Sequence, residues 1–88
     1  MSSFETIFIT EGRAGNPAAE IQFGGQRLCV VSMAGPGQFA IEFPSNLYVL
    51  PQQVRMVFAL QAFTSVLQQS CRDLEAWVGN VAHANGQT

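Results

Sequence analysis

The sequence predicts an α+β domain in which a four-stranded antiparallel meander sheet is followed by one long C-terminal helix packed on one face. Two observations predict this. Up to residue 43, apolar and polar side chains alternate in short runs separated by glycine and proline, whereas residues 51–80 repeat apolar side chains at steps of three and four. The chain has 88 residues, enough for one hydrophobic core and too few for two, so a single domain over residues 1–88 is expected.

The first two predicted strands are separated by a loop. Residues 4–10 are rich in aromatic and β-branched side chains, which favour a pleated strand. The glycines and the proline of residues 12–17 then predict an exposed loop. From residue 19 to residue 23, apolar side chains alternate strictly with polar ones, which predicts a second strand.

Two tight turns define the rest of the sheet. Gly24 and Gly25 predict a hairpin, because two central glycines accept the positive φ angles of type I′ or II′ turns. The third strand is expected over residues 26–33, and a turn over residues 34–37 leads to a fourth strand over residues 38–43. The apolar residues 47–50 then form either a short fifth strand or an extended connection, so the predicted sheet covers residues 3–50.

The helix is predicted over residues 51–80. Pro51 suits its first position, where a fixed φ helps and no N–H is required. A frayed tail is expected over residues 83–88. A continuous helix over residues 51–79 would be ~43 Å long, whereas a sheet of four short strands spans ~28 Å along its diagonal. Part of an apolar helix face should therefore extend past the sheet.

A homodimer accounts for this surplus apolar surface. The alternative is a kink near Ser70 that folds the helix back and lets a monomer bury the same side chains. If the helix is continuous, its second half should contact a second chain or a partner. The interface residues predicted on this basis are Leu67, Cys71, Leu74, Trp77, Val78 and Val81.

Composition excludes several functional classes. Charged residues make up 11% of the chain, lysine is absent and four arginines are scattered, so no basic patch for duplex nucleic acid is present. No segment offers 18 uninterrupted apolar residues, and the N-terminus lacks the pattern of a signal peptide. A cytoplasmic protein with no membrane partner is expected.

The residues of common catalytic sites are also missing. His83 is the only histidine and lies in the predicted tail, so one chain can build no histidine-based triad or metal site. Cys29 falls in the middle of a strand and Cys71 in the middle of the helix, where reduced, buried thiols are the expectation. No catalytic, cofactor-binding or metal-binding residue is predicted, and the chain is not expected to be an enzyme.

The function predicted from these observations is that of a non-enzymatic protein-protein interaction module. It would act as a small homodimer of bacterial or phage-like type that binds another protein as an adaptor, chaperone, immunity protein or inhibitor. Low charge, surplus apolar helix surface and missing catalytic groups together favour it.

A second function follows from a resemblance. The order of four strands and a long helix resembles, as architecture alone, Whirly and PUR-type proteins, which bind single-stranded nucleic acid as dimers or paired repeats. The resemblance implies binding through the sheet, with aromatic rings stacked on bases and arginines at the rim. The corresponding residues of this chain are Phe8, Phe23, Phe39, Arg13 and Arg27.

Overall fold

A computed structural model of the chain describes residues 3–9 and 16–85, with side chains described up to residue 77. Four strands form one antiparallel sheet in sequence order, and a single helix follows them, which confirms the predicted ββββα arrangement. The elements are β1 (Phe4–Ile9), β2 (Ala18–Phe23), β3 (Gln26–Gly35), β4 (Gln38–Glu42) and α1 (Leu60–Asn85).

Glycine forms both hairpin turns, as the sequence predicts. Gly24 and Gly25 have φ angles of 60° and 81°, which is the type I′ pattern that joins two twisted strands without splaying them. Between β3 and β4, Gly37 has a φ of 71° directly after Pro36, as a type II turn requires. Most of the predicted 12–17 loop lies outside the described residues.

A β-bulge decides which side chains of β3 face the helix. Ile21 of β2 pairs with Cys29, and the next residue, Gln22, pairs with Arg27, so Leu28 is the extra residue. Because side chains alternate along a strand, the insertion places Arg27 and Cys29 on opposite faces of the sheet. Cys29 enters the core, whereas Arg27 joins the polar side chains of the other face.

The hydrophobic core lies between the sheet and α1. The sheet contributes Ile21, Cys29 and Val31, which are almost completely buried. Leu67 and Cys71 of α1 pack against them. Both cysteines are free, with Cys29 buried as expected and Cys71 only half-buried.

Contacts at seven-residue intervals hold α1 along β1. The ring centroids of Phe63 and Phe4 are 6.2 Å apart, and those of Trp77 and Phe8 are 5.7 Å apart. Midway between them, the hydroxyls of Ser70 and Thr6 lie 3.0 Å apart in a hydrogen bond. Seven residues are about two helical turns, so one stripe of the helix makes all these contacts.

The helix begins at Leu60, so the predicted start at Pro51 is wrong. Residues 51–59 instead pass around the hairpin end of the sheet. A Cβ atom at Gly24 would come within 3.1 Å of Val54 Cγ1, so Val54 packs directly on the glycine turn. The Phe58 ring packs at 4.8 Å from Phe23 between centroids. Val54 and Phe58 therefore cover the sheet's end rather than form a helical stripe.

Two other predictions concern the helix and the preceding segment. α1 is continuous through Ser70, so no kink folds it back there, and it extends to Asn85, five residues beyond the predicted end. Residues 83–85 of the predicted frayed tail are helical, and residues 86–88 lie outside the described residues. Residues 47–50 form an extended connection and not a fifth strand.

No helix among the described residues is both long enough and apolar enough to span a bilayer. This includes α1, although it has 26 residues.

Candidate protein-binding surface

β4 is an edge strand whose five residues are all exposed. Ile41 pairs with Val31, and Val31 is buried beneath α1. Because directly paired residues point to the same face of a sheet, Ile41 and Phe39 lie on the face that carries the helix. They are 44% and 37% exposed, respectively, because α1 packs mainly on the other three strands.

An apolar groove separates β4 from the helix, with a volume of about 190 Å³. We call it the β4 groove. Its lining residues are Val31, Phe39, Ala40, Ile41, Leu67 and Cys71. Within this set, Leu67 and Cys71 form the helix wall and the β4 residues form the wall at the sheet edge. The groove is therefore open on the side where the sheet ends.

The opposite face of the sheet carries a polar network centred on Glu20, which is 4% exposed. Arg27 Nε donates to Glu20 Oε1 at 3.1 Å, and Gln22 Nε2 donates to Glu20 Oε2 at 2.8 Å. The Tyr48 hydroxyl also donates to Glu20 Oε2. No buried side-chain nitrogen or oxygen of the described residues lacks a hydrogen-bond partner, so this network is complete.

The network fastens the extended connection to the sheet at Tyr48. Gln26 bonds the Tyr48 backbone twice, donating from Nε2 to the carbonyl at 3.1 Å and accepting from the amide at 2.9 Å. The guanidinium of Arg27 lies 4.7 Å above the centroid of the Tyr48 ring and donates to the Asn46 carbonyl at 3.2 Å. We call Glu20, Gln22, Gln26, Arg27 and Tyr48 the Glu20 network.

The Glu20 carboxyl is held in its charged form. Burial by itself raises the pKa of Glu20, but the hydrogen bonds from Gln22 and Tyr48, together with the charge of Arg27, outweigh burial. The net result is a pKa below the ordinary value. A buried, fully bonded carboxylate is a structural anchor, and its oxygens are already occupied by partners from the chain.

The structure places the residues of the predicted helix interface in different environments. Leu67 and Cys71 lie in the β4 groove, but Leu74 is fully buried within the chain. Trp77 is half-buried against Phe8. Val78 and Val81 lie on α1, and their side chains are outside the described part of the chain. The helix thus supplies one wall of an exposed surface rather than the whole of it.

The residues of the predicted nucleic-acid surface are not brought together. Phe8, Phe23 and Phe39 lie on the face that carries α1, where Phe23 packs 4.9 Å from Phe4 between ring centroids. Arg27 lies on the other face, bonded to Glu20. Arg13 is outside the described residues.

Sequence reasoning missed Ile41 and the Glu20 network. Ile41 lies on an alternating strand, and the alternation does not show that the helix leaves this strand uncovered. Glu20 and Tyr48 are 28 positions apart, and no local pattern connects them. Among the described residues, no group of three histidine, cysteine, aspartate or glutamate side chains is close enough to hold a metal ion.

The two cysteines should differ in reactivity. Burial raises the pKa of Cys29 to about 11, and burial together with the Glu75 charge raises that of Cys71. Because the thiolate is the reactive form, Ellman's reagent at pH 8 should label Cys71 slowly and Cys29 only after unfolding. Mass spectrometry of the labelled peptides checks this order. Equal labelling rates in the folded protein would contradict the buried position of Cys29.

Comparison of the chain with protein-family models, with curated proteins and with solved structures found no match.

Proposed function

We propose that the chain is a non-enzymatic protein-binding module that acts as a small homodimer, of the adaptor, chaperone, immunity or inhibitor type. The observation that carries the proposal is the position of the β4 groove at an uncovered sheet edge. Two apolar side chains, Phe39 and Ile41, are exposed on β4 itself, and the outer backbone groups of this strand have no neighbouring strand within the described residues. An exposed apolar edge of this kind favours pairing with another chain.

The low charge of the chain supports the same conclusion. Charged residues make up only 11% of the sequence, and Glu42 is the one charged residue of β4. Edge strands of monomeric proteins usually carry lysine, proline or inward-pointing charges that prevent association. β4 carries neither lysine nor proline. The surface therefore lacks two of the residue types that commonly keep an edge strand unpaired.

Ile41→Lys should abolish self-association. The variant places an ammonium group in the apolar groove. Dimer formation would bury this charge without a countercharge, which is costly. In a two-fold dimer this cost arises twice, so the dissociation constant should rise by roughly 100-fold or more. Sedimentation equilibrium over a range of protein concentrations measures the change. Labelling of Cys71 in the wild-type chain gives a second readout, because self-association would cover this groove residue and dilution below the dissociation constant should speed labelling.

Ile7→Lys is the matched control. Ile7 is 47% exposed on the other edge strand and faces away from α1, where it pairs with Glu20. A lysine at this position is therefore tolerated by the fold and leaves the β4 groove intact. If Ile7→Lys dissociates the dimer and Ile41→Lys does not, the binding surface is not the β4 groove. A wild-type chain that remains monomeric at high concentration would contradict the proposed homodimer itself.

A further inference from the structure

We propose that the homodimer forms by antiparallel pairing of β4 with β4 of a second copy, with Ala40 facing Ala40 across the two-fold axis. This inference rests on the proposed homodimer and specifies its register. The two sheets would join into one sheet of eight strands. The occupant of the open edge is then a second copy of the chain, and the following features of β4 favour it.

The first feature is overlap. β4 runs from Gln38 to Glu42, so Ala40 is its central residue. Antiparallel pairing centred there places every residue of the strand opposite a residue of the other copy. Any other centre leaves at least one end of the strand without a partner, and each unpaired position forgoes backbone hydrogen bonds along the seam.

The second feature is chemical complementarity. With Ala40 at the centre, Gln38 of each copy faces Glu42 of the other, so an amide can donate to each carboxylate and the two acids remain apart. Phe39 faces Ile41 in the same way, an aromatic and β-branched pair that is favourable across strands. β1 offers no such match: self-pairing of its six residues in full overlap would set Glu5 opposite the apolar Phe8.

The third feature is the position of the helices. A register in which Ala40 faces itself keeps equivalent faces of the two sheets on the same side. Both helices then lie on one face, on either side of the seam. Phe39 and Ile41 from both copies form a cluster of four apolar side chains between them. A shift by one residue would place the helices on opposite faces and separate the two grooves.

Disulfide trapping tests the register. Cα atoms of directly opposed residues lie about 4.5–5.5 Å apart, within the range that a disulfide spans. In the proposed register, A40C should therefore form a covalent dimer under mild oxidation. Q38C is the matched control: its two copies would lie four residues apart along the seam, about 13 Å, which a disulfide does not reach. The double variant Q38C/E42C should cross-link again.

The linkage must be located, because Cys71 lies in the nearby groove. Chymotrypsin cleaves after Phe39 and Tyr48 but not at the Phe43–Pro44 bond, so the A40C cross-link should be found on the peptide of residues 40–48. Wild-type chain oxidised in parallel should yield no such linkage. Equal trapping of Q38C and A40C, or no trapping of A40C by a chain that sediments as a dimer, would overturn the register while leaving the homodimer intact. A monomeric wild-type chain would overturn both.

Discussion

Leu74→Ala is expected to lower the free energy of unfolding by about 3–5 kcal/mol, the range for deleting a buried leucine side chain that leaves a cavity. Leu74 is fully buried within one chain, although its helical spacing predicts an interface position. Urea unfolding followed by circular dichroism measures the loss. The loss should be the same at protein concentrations above and below the dissociation constant of the dimer, because Leu74 contributes to the core of each chain.

Leu60→Ala provides the same substitution on the same helix at an exposed site. Leu60 is 76% exposed, so its replacement should change the free energy of unfolding by no more than about 0.5 kcal/mol. If Leu74→Ala behaves like Leu60→Ala, Leu74 is not part of the hydrophobic core. If instead its effect appears only at concentrations where dimers form, Leu74 faces a second chain, as its spacing alone predicts.

The sheet could be predicted because its determinants are local. Alternation along β2 and the glycine pair between β2 and β3 each depend on residues within a few positions of one another. The same holds for the turn at Gly37 and for the end of β4 near Pro44. Backbone conformation at a glycine turn is decided by sterics within that turn, so neighbouring sequence is sufficient to identify it.

The helix start could not be predicted, because contacts distant in sequence decide it. Val54 packs on Gly24, and Phe58 packs on Phe4 and Phe23, across separations of 30 residues or more. Residues 51–59 have an apolar pattern that suits either a helix or a segment wrapped around the end of a sheet. Only the presence of the sheet's aromatic side chains at that end decides between the two.

The candidate surface could be predicted only in part, because some of it depends on local spacing and the rest on contacts distant in sequence. Leu67 and Cys71 could be identified from helical spacing, and they line the groove. The position of the exposed apolar surface could not, since it depends on which strands the helix covers. With the helix start at Leu60 rather than Pro51, the surplus apolar surface lies largely at β4 and in the connection after it, where Val49 is fully exposed.

Arg27→Leu should destabilise the chain by about 3 kcal/mol at pH 7, the lower end of the range for removing one partner of a buried ion pair. The lower end applies because the Arg27 side chain is 21% exposed. The substitution leaves the Glu20 carboxylate with Gln22 and Tyr48 as partners but without a positive charge. It also removes the guanidinium from the Tyr48 ring, so the extended connection should loosen.

The pH dependence separates the charge effect from lost packing. In the wild-type chain the pKa of Glu20 is lowered, so the stability it contributes is present above the ordinary pKa of 4.5 and is lost as pH falls through the folded-state pKa. Without the charge of Arg27, the pKa of Glu20 should be higher than in the wild-type chain, so the loss should shrink as pH falls and the carboxyl takes up a proton. Glu20→Gln in the Arg27→Leu background should restore part of the stability at pH 7, because a neutral amide is less costly to bury than a carboxylate. Urea unfolding of both variants at pH 7 and pH 4 measures these differences. A loss that is equal at the two pH values and not restored by Glu20→Gln would show that Arg27 acts through its packing on Tyr48 alone.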